Sequence, residues 1–149
     1  MTASVPRQSR DAVESASPLH SVPSGGWVSA LPGKASLRRA GRDWDAVRLD
    51  PTIGPTVYER MRDATHGEAG PVILDPYAGW HYWLVRPGAT THWDFPGVVC
   101  RSTGGWVTVV HAARTTGPGP HWLSPPHPDG RLAHAVLLHA VIRSVVGGA

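Results

Sequence analysis

Cysteine, lysine and phenylalanine are almost missing from this chain: Cys100, Lys34 and Phe95 are each the sole residue of their kind. One cysteine excludes an intramolecular disulfide framework and a cysteine-based zinc site. No apolar run nears the roughly 20 residues of a membrane helix, which excludes a helical span. Charged residues are sparse at 17%, yet 41% of the chain is hydrophobic, so chain-wide disorder is excluded as well. Neither GxGxxG nor GxxxxGK[ST] occurs, so no common nucleotide loop is present. There is no GxSxG elbow, and no HExxH or HxH to hold a metal. Neither a metal nor a cofactor is therefore expected. The stretch 1–26 lacks an apolar h-region and carries Asp11 and Glu14, which argues against a secretory signal and for a cytoplasmic location.

What the chain does have is arginine, histidine and tryptophan. Its 149 residues suffice for one buried core. The net charge is +3, and thirteen of the fourteen basic residues are Arg, scattered apart from a cluster at Arg38, Arg39 and Arg42. A weak basic excess is compatible with nucleic acid and does not require it. Of the nine His, His134 and His139 are five apart, about 140° around a helix, and do not form a ligand pair. Cys100 sits among valines and reads as a small buried hydrophobe.

Residues 1–25, rich in Ser, Pro and Ala, read as a flexible tail, and 26–149 as one globular domain opening with a connector or edge element over 26–42. Alternation predicts strands over 44–49, 72–75, 80–86, 97–101, 106–111 and 121–124. Pro76 to Gly79 joins the second and third of these as a hairpin. Ser102 to Gly105 reads as the turn of another hairpin. Helices are expected over 55–65, with Val57, Met61 and Ala64 on one face, and over 132–146, with Leu132, Val136 and Ala140 on one face. The fold class is α+β: a mainly antiparallel sheet with flanking helices. Trp80 and Trp106 are expected in the core. Trp83, on the strand face it shares with His81, is expected to be more open.

The segments GWHYWLVRPG (79–88), PGVVCRSTGGWVTVV (96–110) and RTTGPGPHWLSPP (114–126) resemble, in that order, the N-terminal domain of bifunctional DNA primase-polymerases. Residues 40–146, with WDAVR ahead of DPY, YWLV and GPGPHW, also look like a family of short Streptomyces-type actinobacterial proteins. The first resemblance implies a reduced primase-polymerase-like fold. It matches His81 to a nucleotide-contacting histidine, Arg101 to the arginine after the third catalytic acid, and Gly104 and Gly105 to a turn. The third acid itself falls at Val99. Asp43 and Asp45, with Asp50 near, have the type of the first acidic pair but not its apolar setting. Two-metal phosphoryl transfer needs all of these carboxylates, so the resemblance implies an emptied site.

Three functions follow. The first is a non-catalytic module that binds nucleotide or nucleic acid, or acts as a regulatory accessory, through His81, Trp83, Arg101 and Arg114. The second is a Trp-rich protein-interaction domain. The third is a diverged nucleotidyl-transfer enzyme, or another enzyme using His81 with Asp45 or Asp75.

Overall fold

The computed structural model describes residues 35–147. The tail expected over 1–25, the connector before residue 35, and Gly148 lie outside the described residues. The fold is α+β, with two helices and seven mostly antiparallel strands in two sheets. The strands are β1 (Ala35–Arg39), β2 (Asp45–Leu49), β3 (Val72–Asp75), β4 (Trp80–Val85), β5 (Val98–Arg101), β6 (Trp106–Val110) and β7 (His121–Ser124). Helix α1 is Gly54–Ala64 and helix α2 is Ala135–Gly147. No helix among the described residues is long and apolar enough to cross a membrane.

Five strands form one antiparallel sheet in the order β5-β2-β4-β3-β7, and β1 pairs with β6 in a separate ribbon. The hairpin expected from 72–75 and 80–86 is present, its second strand ending at Val85, with Asp75 opposite Trp80. The second expected hairpin is not. β5 pairs with β2, and β6 pairs with β1. The segments 35–49 and 98–110 therefore run antiparallel along their whole length, and both cross from ribbon to sheet at one corner. There Ala40 N donates to Gly105 O at 2.8 Å, and Gly105 N to Ser102 O at 2.8 Å. Turn chemistry predicted a reversal at 102–105; the chain instead bends there and continues along the same partner segment, because the edge of β2 takes the strand before the bend.

Alternation then assigns each sheet residue to one of two layers. Val47, Leu49, Val72, Trp83 and Val85 pack against Val57 and Met61 of α1 and Leu138 and Ile142 of α2. Ala46, Ile73, Leu84 and Trp122 pack against Val107 and Val109 of the ribbon. The ribbon's far end is held to β7, where Trp122 Nε1 donates to the carbonyls of Val110 and His111, both at 3.1 Å.

The helix faces agree with expectation at Val57 and Met61 and differ elsewhere. In α1 the buried residues are Gly54, Val57 and Met61, and Ala64 is exposed. In α2 they are Ala135, Leu138 and Ile142, while Val136 is 71% exposed and Ala140 is also exposed. An apolar sequence such as AVLLHAVIRSVV offers several equivalent stripes, so periodicity could not choose among them. The helix starts at Ala135, not Leu132, because His134 Nδ1 accepts from Leu137 N at 3.1 Å. The residue before it, Ala133, donates its N–H to Leu84 O at 2.9 Å and so belongs with the sheet.

Candidate functional site

The four residues singled out from sequence do not share one surface. His81 and Trp83 point to the helix layer, where Trp83 is fully buried and His81 is 5% exposed. Arg101 points the other way, because it lies opposite Ala46 on the ribbon side. Arg114 is spent on its own loop: Nε donates to Pro120 O at 3.0 Å, and the guanidinium also bonds Pro118 O. The open stacking surface expected of Trp83 is therefore not there. Trp106, expected in the core, is instead 46% exposed.

His81 lies beneath the first turn of α1. A Cβ on Gly54 would sit 3.1 Å from its ring, and Tyr58 meets the ring edge-on at 6.2 Å. Its Nδ1 is buried with no hydrogen-bond partner among the described residues. Burial holds the imidazole below its usual pKa, since a charge there is poorly solvated and faces the positive end of a helix. The unfolded chain then binds the proton more readily than the folded one. Stability from this group is full above about pH 6.5 and is lost as pH falls from there through the lower folded value. We expect the urea midpoint of the wild type to drop from pH 7 to 5, and His81→Leu to flatten that drop. An unchanged slope in the variant would disprove the assignment.

Asp45 is also on the helix side, wholly buried. It accepts from Gly88 N at 2.9 Å, Thr90 Oγ1 at 3.3 Å and Ser102 Oγ at 3.0 Å. These bonds fasten the start of β2 to the turn after β4 and to the corner at 102–105. A carboxylate so employed is an anchor. Asp45 lies opposite Val85, four residues along β4 from His81, and Asp75 lies opposite Trp80 on the ribbon side, so the register pairs neither with His81. Among the described residues, no group of three or more His, Cys, Asp or Glu is placed to hold a metal ion. Cys100 is partly buried on the helix side beside Thr90 and Asp45, and burial pushes its thiol up, which keeps it protonated and unreactive.

The opposite side of the sheet is different. The ribbon covers Ala46 and Leu84 but leaves a row open at Val99, Arg48 and Tyr82, with Arg101 and Trp80 beside it. Arg48 lies over the Trp80 ring at 3.9 Å, and Tyr82 meets Trp80 edge-on at 6.4 Å. On the ribbon, Arg39 lies 5.1 Å over its cross-strand partner Trp106. Arg38, Arg48 and Arg101 each have a buried Nε with no hydrogen-bond partner among the described residues. The ion pairs among the described residues are those of Arg131 with Glu68 and Asp129, and of His127 with Asp129. Among the described residues, no carboxylate pairs with Arg38, Arg39, Arg48 or Arg101.

Arg48 over the partly buried Trp80 and Arg39 over the exposed Trp106, with no carboxylate partner among the described residues, make a surface suited to phosphate and to planar rings. Of its members, Arg101 was legible as a site residue and Arg38 and Arg39 as a local basic cluster. Arg48, Trp80 and Trp106 were missed. The available signal was Arg48 itself, a lone charge on a strand face otherwise made of Trp44 and Ala46. Comparison of the chain with family models, curated proteins and solved structures gives no match.

Proposed function

We propose that this chain is a non-catalytic module that binds nucleotide or nucleic acid on the ribbon side of its five-stranded sheet. The observation that carries this reading is the pair of guanidinium–indole contacts, Arg48 over Trp80 and Arg39 over Trp106, with the buried Nε atoms of Arg48 and Arg101 lacking a hydrogen-bond partner among the described residues. Arginine holds phosphate through its planar fork, and indoles stack bases without regard to sequence. The primase-polymerase resemblance of residues 79–126 supports the same class of ligand. Its third acid position, Val99, lies on this open face at 39% exposure, opposite Arg48 and two residues before Arg101 on β5. A valine there, with Asp45 buried in the other layer, removes the carboxylates that metal-dependent phosphoryl transfer needs.

The test is fluorescence anisotropy of a labelled single-stranded oligonucleotide at about 50 and 200 mM salt. Binding should weaken with salt. Arg48→Ala and Arg101→Ala should each cost about tenfold and flatten the salt slope. Val99→Asp should weaken binding by placing a carboxylate beside the two arginines, and should confer no nucleotide incorporation. His81→Ala, in the other layer, should leave the salt slope unchanged. A protein-interaction surface is the competing reading, favoured by Leu37 at 63% exposure next to Trp106. Absence of binding at low salt would overturn the nucleic-acid reading for single strands.

A further inference from the structure

Beside the arginines, the ribbon and the sheet enclose a cleft of about 130 Å³. Its walls include Leu37, Trp106 and Thr108 from the ribbon and Tyr82 and Asp75 from the sheet, with Pro120 at its edge. A volume near 150 Å³ is about what one benzene ring occupies in a protein cavity, whereas pockets for drug-sized ligands begin at about 300 Å³. The cleft therefore matches one six-membered ring and not a fused pair. Tyr82 and Trp106 supply aromatic walls. Among the described residues of its walls, Asp75 supplies the one carboxyl group.

The two oxygens of that carboxylate are not equivalent. Oδ1 accepts from Tyr77 N at 3.1 Å, which ties it to the β3–β4 turn. Oδ2 has no partner among the described residues and remains as an acceptor. Asp75 lies opposite Trp80 across the β3–β4 pair, and Arg48 stacks on that same Trp80. The acceptor and the phosphate-seeking arginine thus sit on one continuous face.

We infer that the cleft selects a cytosine ring, whose exocyclic amino group donates to Asp75 while its phosphate is held by Arg48 and its neighbours. Cytosine offers a donor at that edge, and thymine or uracil an acceptor that a carboxylate repels. Adenine carries an amino group but on two rings. This inference rests on the proposed function and narrows it from nucleic acid in general to one base.

The experiment compares labelled oligo-dC, oligo-dT and oligo-dA by anisotropy on the full chain. Oligo-dC should bind at least about fivefold tighter than oligo-dT, and oligo-dA no better than oligo-dT. In Asp75→Asn the amide oxygen can keep the bond from Tyr77 N, which turns the free position from acceptor to donor. The preference should then reverse toward oligo-dT, which loss of structure alone would not produce. Cytidine monophosphate should displace oligo-dC better than uridine monophosphate does. Equal affinity of the monophosphate and the oligomer marks a free nucleotide as the occupant, and a tighter oligomer marks a strand. Equal, salt-dependent binding of oligo-dC and oligo-dT would overturn the cytosine inference and leave the proposed function standing. So would an unchanged preference in Asp75→Asn. No binding of any oligomer would overturn both.

Discussion

Gly41→Ala is expected to cost at least about 3 kcal/mol of unfolding free energy, the upper end of what a single strained backbone position costs. Gly41 has a φ of 95°, in the region that side chains rarely adopt. A Cβ there would also come within 2.5 Å of the Thr103 backbone nitrogen and 2.7 Å of its Cα. Both contacts are backbone, so neither can swing away. This is the corner where two antiparallel segments pass together from ribbon to sheet, and relieving the clash would tilt the ribbon off the sheet. Gly104 is the control, because its φ is 93° but a Cβ would meet nothing within 4 Å. Gly104→Ala should cost about 1–2 kcal/mol, from backbone strain alone. Urea denaturation of both variants checks this. Equal losses would mean that the corner is not packed as described. Because the cleft lies between the layers that the corner joins, the Gly41 variant should also lose oligonucleotide affinity under conditions where it remains folded.

Trp83→Ala and Trp106→Ala should have opposite effects. Trp83 is fully buried under α1, with Tyr58 against it at 6.2 Å. Its truncation leaves a large cavity and should cost about 3–5 kcal/mol. Trp106 has nearly half of its surface in solvent and touches Arg39. Its truncation should move stability by less than about 1 kcal/mol while weakening oligonucleotide binding by roughly tenfold or more, the loss of one stacked base. Denaturation and anisotropy on the two variants separate core from ligand surface. A Trp106→Ala variant that binds normally would remove the ribbon from the site. A Trp83→Ala variant as stable as wild type would contradict the packing of the helix layer.

The two tryptophans also mark how far the sequence could be read. Alternation over 80–85 correctly put Trp80, Tyr82 and Leu84 on one side and His81, Trp83 and Val85 on the other. It could not say which side would be covered more completely. Both sides of β4 meet apolar layers, and a period of two distinguishes sides without naming what lies over them. The primase-polymerase resemblance led to His81 and Arg101 as partners, yet their opposite parity relative to the β2 register places them in different layers.

Local features were decided by the sequence alone. Pro76 to Gly79 makes a hairpin turn because Pro76 cannot donate to the ladder and Gly79 takes the positive φ, 76°, that closes it. The strands at 72–75 and 121–124 appear with the expected bounds, and α1 begins within a residue of Pro55, where proline's missing N–H costs nothing. The pairing of β5 with β2 instead of β6, the buried face of α2, and the placing of Arg48 and Arg101 on the same side of the sheet as Trp80 belong to the tertiary structure. Each depends on contacts between residues far apart in the chain. The ribbon covers Ala46 and Leu84 but not Arg48 and Val99, because the corner at Gly41 and Thr103 sets where the ribbon crosses the sheet, and that crossing leaves the arginines open.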